Sequence, residues 1–243
     1  MSKPNIDPNL YKLDATQTGG SLIKIKESQT VALIQVEHEF DSFEKISMRN
    51  EEHKNEIFSM FPAYLMHDAD QADKDLFHAM SRYDKRNHTF VVGCIDVSSG
   101  FTLISYKWKQ KGEVKWRTRG GTHPNSTPFV RIFTDSAVIM VIEGQKDALT
   151  AILLGLDFIM LPYAGYRISD PSYLQKEIKG REVVFLVEDK AAHTCMEKTA
   201  EQFSDTAKKI LLKQLGNNDE KVDLSDYVQH FNTIQEVIDA LQN

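Results

Sequence analysis

The spacing of apolar residues divides the chain into stretches with different periods. Residues 1–30 contain few periodic apolar positions and several prolines and glycines, which predicts an irregular amino-terminal arm. The β-branched run at 31–37 predicts a short strand. From about residue 40 to 86, apolar residues recur at helical spacing with a break at Pro62, which predicts a helical stretch. Its apolar positions are Phe43, Ile46, Ile57, Met60, Phe61, Leu76, Phe77, Met80 and Tyr83.

From residue 89 the period changes to two. Segments 89–97, 101–108 and 114–120 alternate in polarity, and short turn sequences containing Gly100 and Gly112 separate them. This pattern predicts an antiparallel three-stranded meander. A loop rich in glycine and proline follows at 120–128, so we predict an α+β domain over residues 31–135.

Residues 136–243 alternate between continuous apolar runs and helical patterns. The runs at 138–142, 158–162 and 183–187 predict strands buried on both faces, with helices between them. Periodicity alone fits 208–213 to a helix or a strand, and we take it as a fourth strand followed by a closing helix at 233–242. The alternation predicts an α/β fold, a parallel sheet flanked by crossover helices.

Composition indicates an ordinary globular protein. Hydrophobic residues make up 41% and charged residues 26% of the 243 positions, and no apolar run is long enough to cross a bilayer. The amino terminus lacks the apolar core of a secretion signal, so no membrane partner is expected. Cys94 and Cys195 lie far apart and outside CxxC spacing, which argues against a disulfide scaffold or zinc ribbon and predicts a cytoplasmic location.

Charge is distributed unevenly along the chain. The net charge is −6, yet residues 107–119 contain six basic residues and a single acid, Glu113. Alternation along the first strand places Tyr106 and Trp108 on one face and Lys107 and Lys109 on the other. On the next strand it places Lys115, Arg117 and Arg119 on one common face. Such a ribbon can track phosphates and stack on bases, or it is a solvated hairpin whose tryptophans are core. The candidate nucleic-acid-binding residues are Lys107, Trp108, Lys109, Lys115, Trp116, Arg117 and Arg119.

Acidic residues follow the predicted parallel strands. Glu143 ends the first, Glu188 and Asp189 follow the third, and Asp223 and Asp226 follow the last. Ligands of parallel sheets bind beyond the carboxyl ends of the strands, where these residues are expected to meet. Carboxylates suit Mg²⁺ or Mn²⁺, which can orient phosphates, so all five are candidate metal ligands.

Two segments carry a resemblance to a known family. EGQKDALTAILLGLDFIMLPYAG, at 143–165, is similar to the first motif of TOPRIM (topoisomerase–primase) domains. VDLSDYV, at 222–228, resembles a segment near the end of the TOPRIM domains of bacterial and phage primases, with Val222 in place of the leading lysine. The resemblance implies a TOPRIM-like domain over 136–243, with Glu143 as the general acid/base or metal-binding glutamate. Asp147 would begin the next helix, where the helix dipole alone also explains an acid.

The second motif departs from the family pattern of Asp-x-Asp. One alignment places Glu188 at the first aspartate, Lys190 at the second and His193 at a glycine, whereas sliding by one residue pairs Asp189 with Ala191. Either way one carboxylate is missing, so metal binding is expected to be weak or absent. Lys190 either points inward, with its ammonium where a divalent ion would sit, or points away and leaves Glu143, Glu188 and Asp226 to hold one ion.

The resemblance implies a primase-type protein of phage, plasmid or other mobile-element DNA replication. It would bind single-stranded DNA or nucleotides and catalyse metal-dependent nucleotidyl transfer through Glu143, Glu188 and Asp226. A replicative helicase or another replication protein would be its partner. The alternative is a non-catalytic TOPRIM module with a nucleic-acid-binding or regulatory role, in which the degenerate metal site serves only as a scaffold. A TOPRIM nuclease is the third and weaker alternative, because cleavage depends on the same missing carboxylate.

Overall fold

Alternating and helical hydrophobic patterns produce two β-sheets with helices packed against them. The computed structural model describes residues 38–96, 101–110, 113–122, 129–132, 136–168, 170–217 and 220–242, and for 95–96 and 101–122 it describes the backbone alone. The arm predicted at 1–30 and the strand predicted at 31–37 lie outside these residues. Within the described residues, no helix is long and apolar enough to cross a bilayer.

The first sheet is antiparallel, and its five strands are ordered β1-β2-β3-β4-β5. They are β1 (Glu44–Lys45), β2 (Ser81–Asp84), β3 (Thr89–Asp96), β4 (Phe101–Gln110) and β5 (Glu113–Thr122). Strands β3 to β5 confirm the predicted meander. Three helices, α1 (Glu51–Phe58), α2 (Ala63–Asp68) and α3 (Gln71–Ala79), lie between β1 and β2 in sequence.

The prediction of helical structure from 40 to 86 is wrong at two places, where β1 and β2 occur. Tyr83 lies at helical spacing from Met80, but it belongs to β2 and stands opposite Phe90 of β3. All four residues of β2 are buried. Strand β2 contains one apolar residue, Tyr83, at helical spacing from Met80, and a short strand buried on both faces has no period-two alternation to distinguish it from a helix.

The second sheet is parallel except at one edge. Its strand order is β10-β9-β7-β8-β6, and among these described strands only β6 runs antiparallel to its neighbour, β8. The strands are β6 (Phe129–Arg131), β7 (Val138–Glu143), β8 (Phe158–Leu161), β9 (Glu182–Val187) and β10 (Lys209–Gln214). The helices are α4 (Gln145–Leu153), α5 (Ser172–Ile178), α6 (Lys190–Ala200), α7 (Leu224–Tyr227) and α8 (Ile234–Gln242). The predicted α/β class is confirmed, and the ambiguous run at 208–213 is a strand paired with β9.

One hydrophobic core joins the two sheets. On one face of the parallel sheet, Val141 and Phe185 pack with α5 and α6. On the other face, Met140 and Ile142 join a core that also contains Phe90 of β3 and residues of α3, α4 and α8. The regions on either side of residues 135 and 136 bury apolar surface against each other in one core. The domain boundary between these residues therefore stays a prediction from the sequence.

A buried ion pair links the same two regions. Asp73 of α3 pairs with Arg131 of β6, and both side chains are about nine-tenths buried. Arg131 Nη1 also donates a hydrogen bond of 2.7 Å to the carbonyl oxygen of Leu156. Burial raises the pKa of Asp73 and lowers the pKa of Arg131, while the charge of each opposes the shift of the other. Neither charge is well solvated without its partner.

Removing one member of this pair should destabilise the fold strongly. We expect Arg131→Met to lower the free energy of unfolding by about 3–5 kcal/mol, because Asp73 is left as a buried, unpaired charge. Urea denaturation followed by circular dichroism measures the change, and Lys54→Met, in an exposed pair with Glu51, is the control. The double variant Asp73→Leu/Arg131→Met should recover part of the stability. Equal effects of the Arg131 and Lys54 substitutions would contradict this account.

Candidate functional site

Two carboxylates meet at the carboxyl edge of the parallel sheet. Glu143 ends β7 and Glu188 directly follows β9, and these two strands are neighbours in the parallel ladder. Gly144 has a φ of 81°, a left-handed conformation that favours glycine, and turns the chain from β7 into α4. The backbone N–H of Ala164, in the loop after β8, donates a hydrogen bond to the Glu143 carboxylate. The predicted convergence of Glu143 and Glu188 is therefore present.

The ionisation of Glu143 is shifted towards neutral pH. Burial, together with the negative charge of Glu188, raises the pKa of Glu143 to about 7, while Lys221 and the Ala164 N–H oppose this shift. Burial also raises the pKa of Glu188, again opposed by Lys221. Two adjacent carboxylates with little solvent favour uptake of a proton or a cation.

Lys221 supplies a positive charge at this edge. Its Nζ lies 2.8 Å from Oε2 of Glu188, whose side chain is only 8% exposed. The sequence did not single out Lys221. A signal was nevertheless present, since Lys221 directly precedes Val222, the residue that stands in place of an expected lysine. Val222 itself is buried.

Lys190 and His193 lie on the first turns of α6. Asp189 caps this helix, and its Oδ1 accepts a hydrogen bond of 2.7 Å from the Ala192 N–H. Lys190 is exposed, and within the described part of the chain no ion pair connects it to an acid. His193 Nδ1 lies 3.5 Å from Glu197 on the same helix. The cation paired with Glu188 is therefore Lys221, whereas the sequence offered Lys190 for that place.

The acidic group that follows the last strand, Asp223 and Asp226, is paired with a different lysine, Lys146. Lys146 Nζ lies 2.8 Å from Asp223 Oδ2 and 3.9 Å from Asp226 Oδ1. Asp223 Oδ1 also accepts hydrogen bonds from the Ser225 hydroxyl, at 2.6 Å, and the Asp226 N–H, at 2.8 Å. The Asp226 side chain is 61% exposed. Asp223 is therefore a helix cap and an ion-pair partner in this arrangement.

Asp147 holds the segment that contains Asp223 and Asp226 against α4. Its two carboxylate oxygens accept the backbone N–H groups of Leu224 at 3.0 Å and Ser225 at 3.1 Å. The residue is buried, and this burial raises its pKa well above the usual range, with the negative charge of Asp223 contributing. Asp147 thus positions the segment, a role that a helix dipole alone does not describe.

The described carboxylates do not form a divalent-metal site as they stand. Within the described residues, no group of three or more histidine, cysteine, aspartate or glutamate residues is arranged to hold a metal ion. Two of the predicted ligands are paired with lysines, Glu188 with Lys221 and Asp223 with Lys146. A hard cation such as Mg²⁺ needs several free oxygen ligands in near-octahedral geometry. This arrangement of Glu143, Glu188, Asp189, Asp223 and Asp226 therefore does not fit Mg²⁺ or Mn²⁺.

The second candidate surface is the ribbon of β4 and β5. The register places Trp108 opposite Lys115, Lys107 opposite Trp116 and Tyr106 opposite Arg117. Positions directly opposite each other in a ladder share a face, so basic positions occupy both faces of the ribbon and aromatic positions lie among them.

The tip of this ribbon extends beyond the neighbouring strand. In the described ladders, β3 pairs with residues 101–106 of β4, and residues 107–110 pair with 113–116 of β5 alone. Both tryptophan positions and three of the candidate basic positions belong to this two-stranded extension. They are Lys107, Trp108, Lys109, Lys115 and Trp116.

The raised pKa of Glu143 predicts a pH-dependent stability difference. An acid whose pKa is higher in the folded state destabilises the fold when it ionises, so stability falls between about pH 4.5 and pH 7 and changes no further above that range. Glu143→Gln does not undergo this decrease. Relative to wild type, the variant should gain about 1–2 kcal/mol between about pH 5 and pH 8, a figure reduced for solvent screening of a partly exposed group. Urea midpoints at each pH measure it, and a difference that does not vary with pH would contradict the assignment.

Comparisons with known proteins add information about the fold. No family model and no curated protein matches the chain. Among solved structures, the chain is similar to the crystal structure of the zinc-binding and RNA polymerase domains of the Aquifex aeolicus primase. The TM-score is 0.51 at 14% sequence identity, and the match covers 92% of this chain but 63% of that chain, less than two thirds of its length. The protein therefore has a primase-like α/β fold.

Proposed function

We propose that this protein binds single-stranded nucleic acid as a primase-related protein of DNA replication. The observation that carries the proposal is the two-stranded extension of β4 and β5, which combines basic and aromatic positions on both faces. Lysine and arginine residues neutralise phosphates, and aromatic residues stack on bases that are unpaired. The similarity of most of the chain to part of a structure that holds the zinc-binding and RNA polymerase domains of a primase supports the same interpretation.

The acidic edge supports a TOPRIM-type assignment of residues 136–243 within this proposal. Glu143 ends a central parallel strand, Gly144 makes the turn that follows, and Asp147 lies in the first turn of the next helix, as in the motif that this segment resembles. Segment 222–228 lies at the same edge, because its backbone is hydrogen-bonded to Asp147 and Glu188. A replicative helicase as partner stays a prediction from the sequence.

Nucleotidyl transfer at this edge is the second candidate function, favoured by the pKa of Glu143. A carboxylate with a pKa of about 7 is suited to act as a general base near neutral pH. It would accept the proton of a nucleotide 3′-hydroxyl while that oxygen bonds to the α-phosphorus of a nucleoside triphosphate and pyrophosphate leaves. Because the described carboxylates do not fit a divalent ion as arranged, binding without catalysis is our first candidate.

Charge reversal on the ribbon tests the binding proposal. We expect wild-type protein to bind fluorescent oligodeoxythymidine with an affinity that falls steeply as salt rises, measured by fluorescence anisotropy. Lys115→Glu/Arg117→Glu should weaken binding and lower the slope of log affinity against log salt by about 0.7 for each phosphate that the variant no longer neutralises. Lys208→Glu, outside the ribbon, is the matched control and should bind as wild type. Unchanged binding by the ribbon variant would refute the proposal.

Substitution of the tryptophans separates stacking from charge. Trp108→Ala and Trp116→Ala should each weaken binding by about 1–3 kcal/mol where a base stacks on the indole, and should leave the salt slope unchanged. Tyrosine at either position should restore most of the affinity, because it keeps an aromatic face. If alanine is tolerated at both positions, the tryptophans are not part of the nucleic-acid surface.

Product analysis separates the three candidate activities. Wild type and Glu143→Gln are incubated with single-stranded template, nucleoside triphosphates and MgCl₂ or MnCl₂, and the products are resolved on a denaturing gel. Extension by wild type that is absent in Glu143→Gln would establish nucleotidyl transfer. Shortened template would indicate a nuclease. Intact template and no extension, with binding retained, is the result that our first candidate predicts.

A further inference from the structure

The backbone that follows Lys221 is anchored at the acidic edge. The Val222 N–H donates a hydrogen bond of 3.1 Å to the carbonyl oxygen of Glu188. Two residues further on, the N–H groups of Leu224 and Ser225 bind the buried carboxylate of Asp147. These three hydrogen bonds fix the path of the chain immediately after Lys221, so its side chain starts from a defined position beside the ends of β7 and β9.

Gly216 allows this segment to approach the end of β10 closely. A Cβ atom on residue 216 would lie 2.6 Å from Val222 Cγ2 and 2.9 Å from the carbonyl oxygen of Glu220. The second contact involves backbone, which cannot move aside as a flexible side chain can. Glycine at 216 therefore lets residues 220–222 pack against the chain directly after β10. In this position the Lys221 side chain reaches Glu188.

The Lys221 ammonium serves two carboxylates. It lies 2.8 Å from Glu188 Oε2, and its charge also lowers the pKa of Glu143. Glu188 is nearly buried and Glu143 is partly buried, so water alone solvates their charges poorly. Lys221 itself is 65% exposed, and its flexible stem can carry the ammonium out into solvent without a large desolvation change.

We infer that Lys221 is a tethered cation that takes the place of a divalent metal ion between Glu143 and Glu188 and competes with metal for this edge. The inference rests on the proposed function, since it concerns the same acidic edge. A metal ion approaching these carboxylates is repelled by the ammonium and has to displace it. The edge is consequently stable without metal, and its affinity for divalent cations is set by one lysine.

Calorimetric titration with MnCl₂ and with MgCl₂, in the absence of nucleic acid, tests the inference directly. Lys221→Met removes the charge and keeps a side chain of similar length, so it should bind Mn²⁺ at least about tenfold more tightly than wild type. Lys208→Met is the matched control. Lys208 is 66% exposed and pairs with Glu182, the first residue of β9. Glu188 follows the last residue of the same strand, so the two ion pairs lie at opposite ends of β9. The metal affinity of Lys208→Met should equal that of wild type.

Two further variants establish the mechanism. Lys221→Arg keeps the positive charge and should bind metal as weakly as wild type. Lys221→Met/Glu188→Gln should not show the tight binding of the single variant, because one of the two carboxylates is neutral. Equal Mn²⁺ affinity of wild type and Lys221→Met would overturn the inference, and so would tight binding that survives the Glu188→Gln substitution.

Folding of the key variant is checked by circular dichroism. If Lys221→Met lacks the wild-type spectrum without metal, the readout becomes its recovery on addition of MnCl₂. Recovery supports the inference, because the metal then replaces the missing ammonium, and no recovery overturns it. The ribbon residues are unchanged in every variant, so failure of this inference leaves oligonucleotide binding as it is and is distinguishable from failure of the proposed function.

Discussion

Repulsion between carboxylates that meet at one edge of a parallel sheet is the constraint on which the site depends. Parallel strands bring their carboxyl ends together, and Glu143 and Glu188 follow adjacent strands. Like charges at such an edge need a proton or a cation between them. Lys221 supplies a cation from within the chain, and the raised pKa of Glu143 favours uptake of a proton from solvent. Lys146 likewise supplies a cation for Asp223.

The parallel sheet and its acidic edge were predictable because their signals are local. Continuous apolar runs mark buried strands, and an acid directly after such a run has to lie at the strand's carboxyl end. Glu143 and Glu188 therefore lie together as expected. The meander of β3 to β5 was equally accessible, since its period of two and its turns are written in consecutive residues.

The contact of Lys221 with Glu188 and the pairing of β1 with β2 depend on tertiary interactions, which local sequence patterns indicate only weakly. Lys221 reaches Glu188 only because the chain turns back after β10, where Gly216 permits a close approach. Lysine is also one of the residue types most often exposed, so one lysine among several carries little signal. Strand β2 is buried on both faces by tertiary packing although only one of its four residues, Tyr83, is apolar, so no alternation in the sequence marks it.

The fold of this protein does not determine the chemistry of its acidic edge. At 14% identity, similarity to a primase structure describes the path of the backbone and not the groups attached to it. In this chain two lysines neutralise carboxylates that the resemblance would assign to a metal ion. A tethered ammonium stabilises the same sheet edge but cannot draw a second oxygen ligand from a phosphate, as a metal ion can. The ribbon, whose basic and aromatic positions do not depend on that edge, is consequently where we expect nucleic acid to be held.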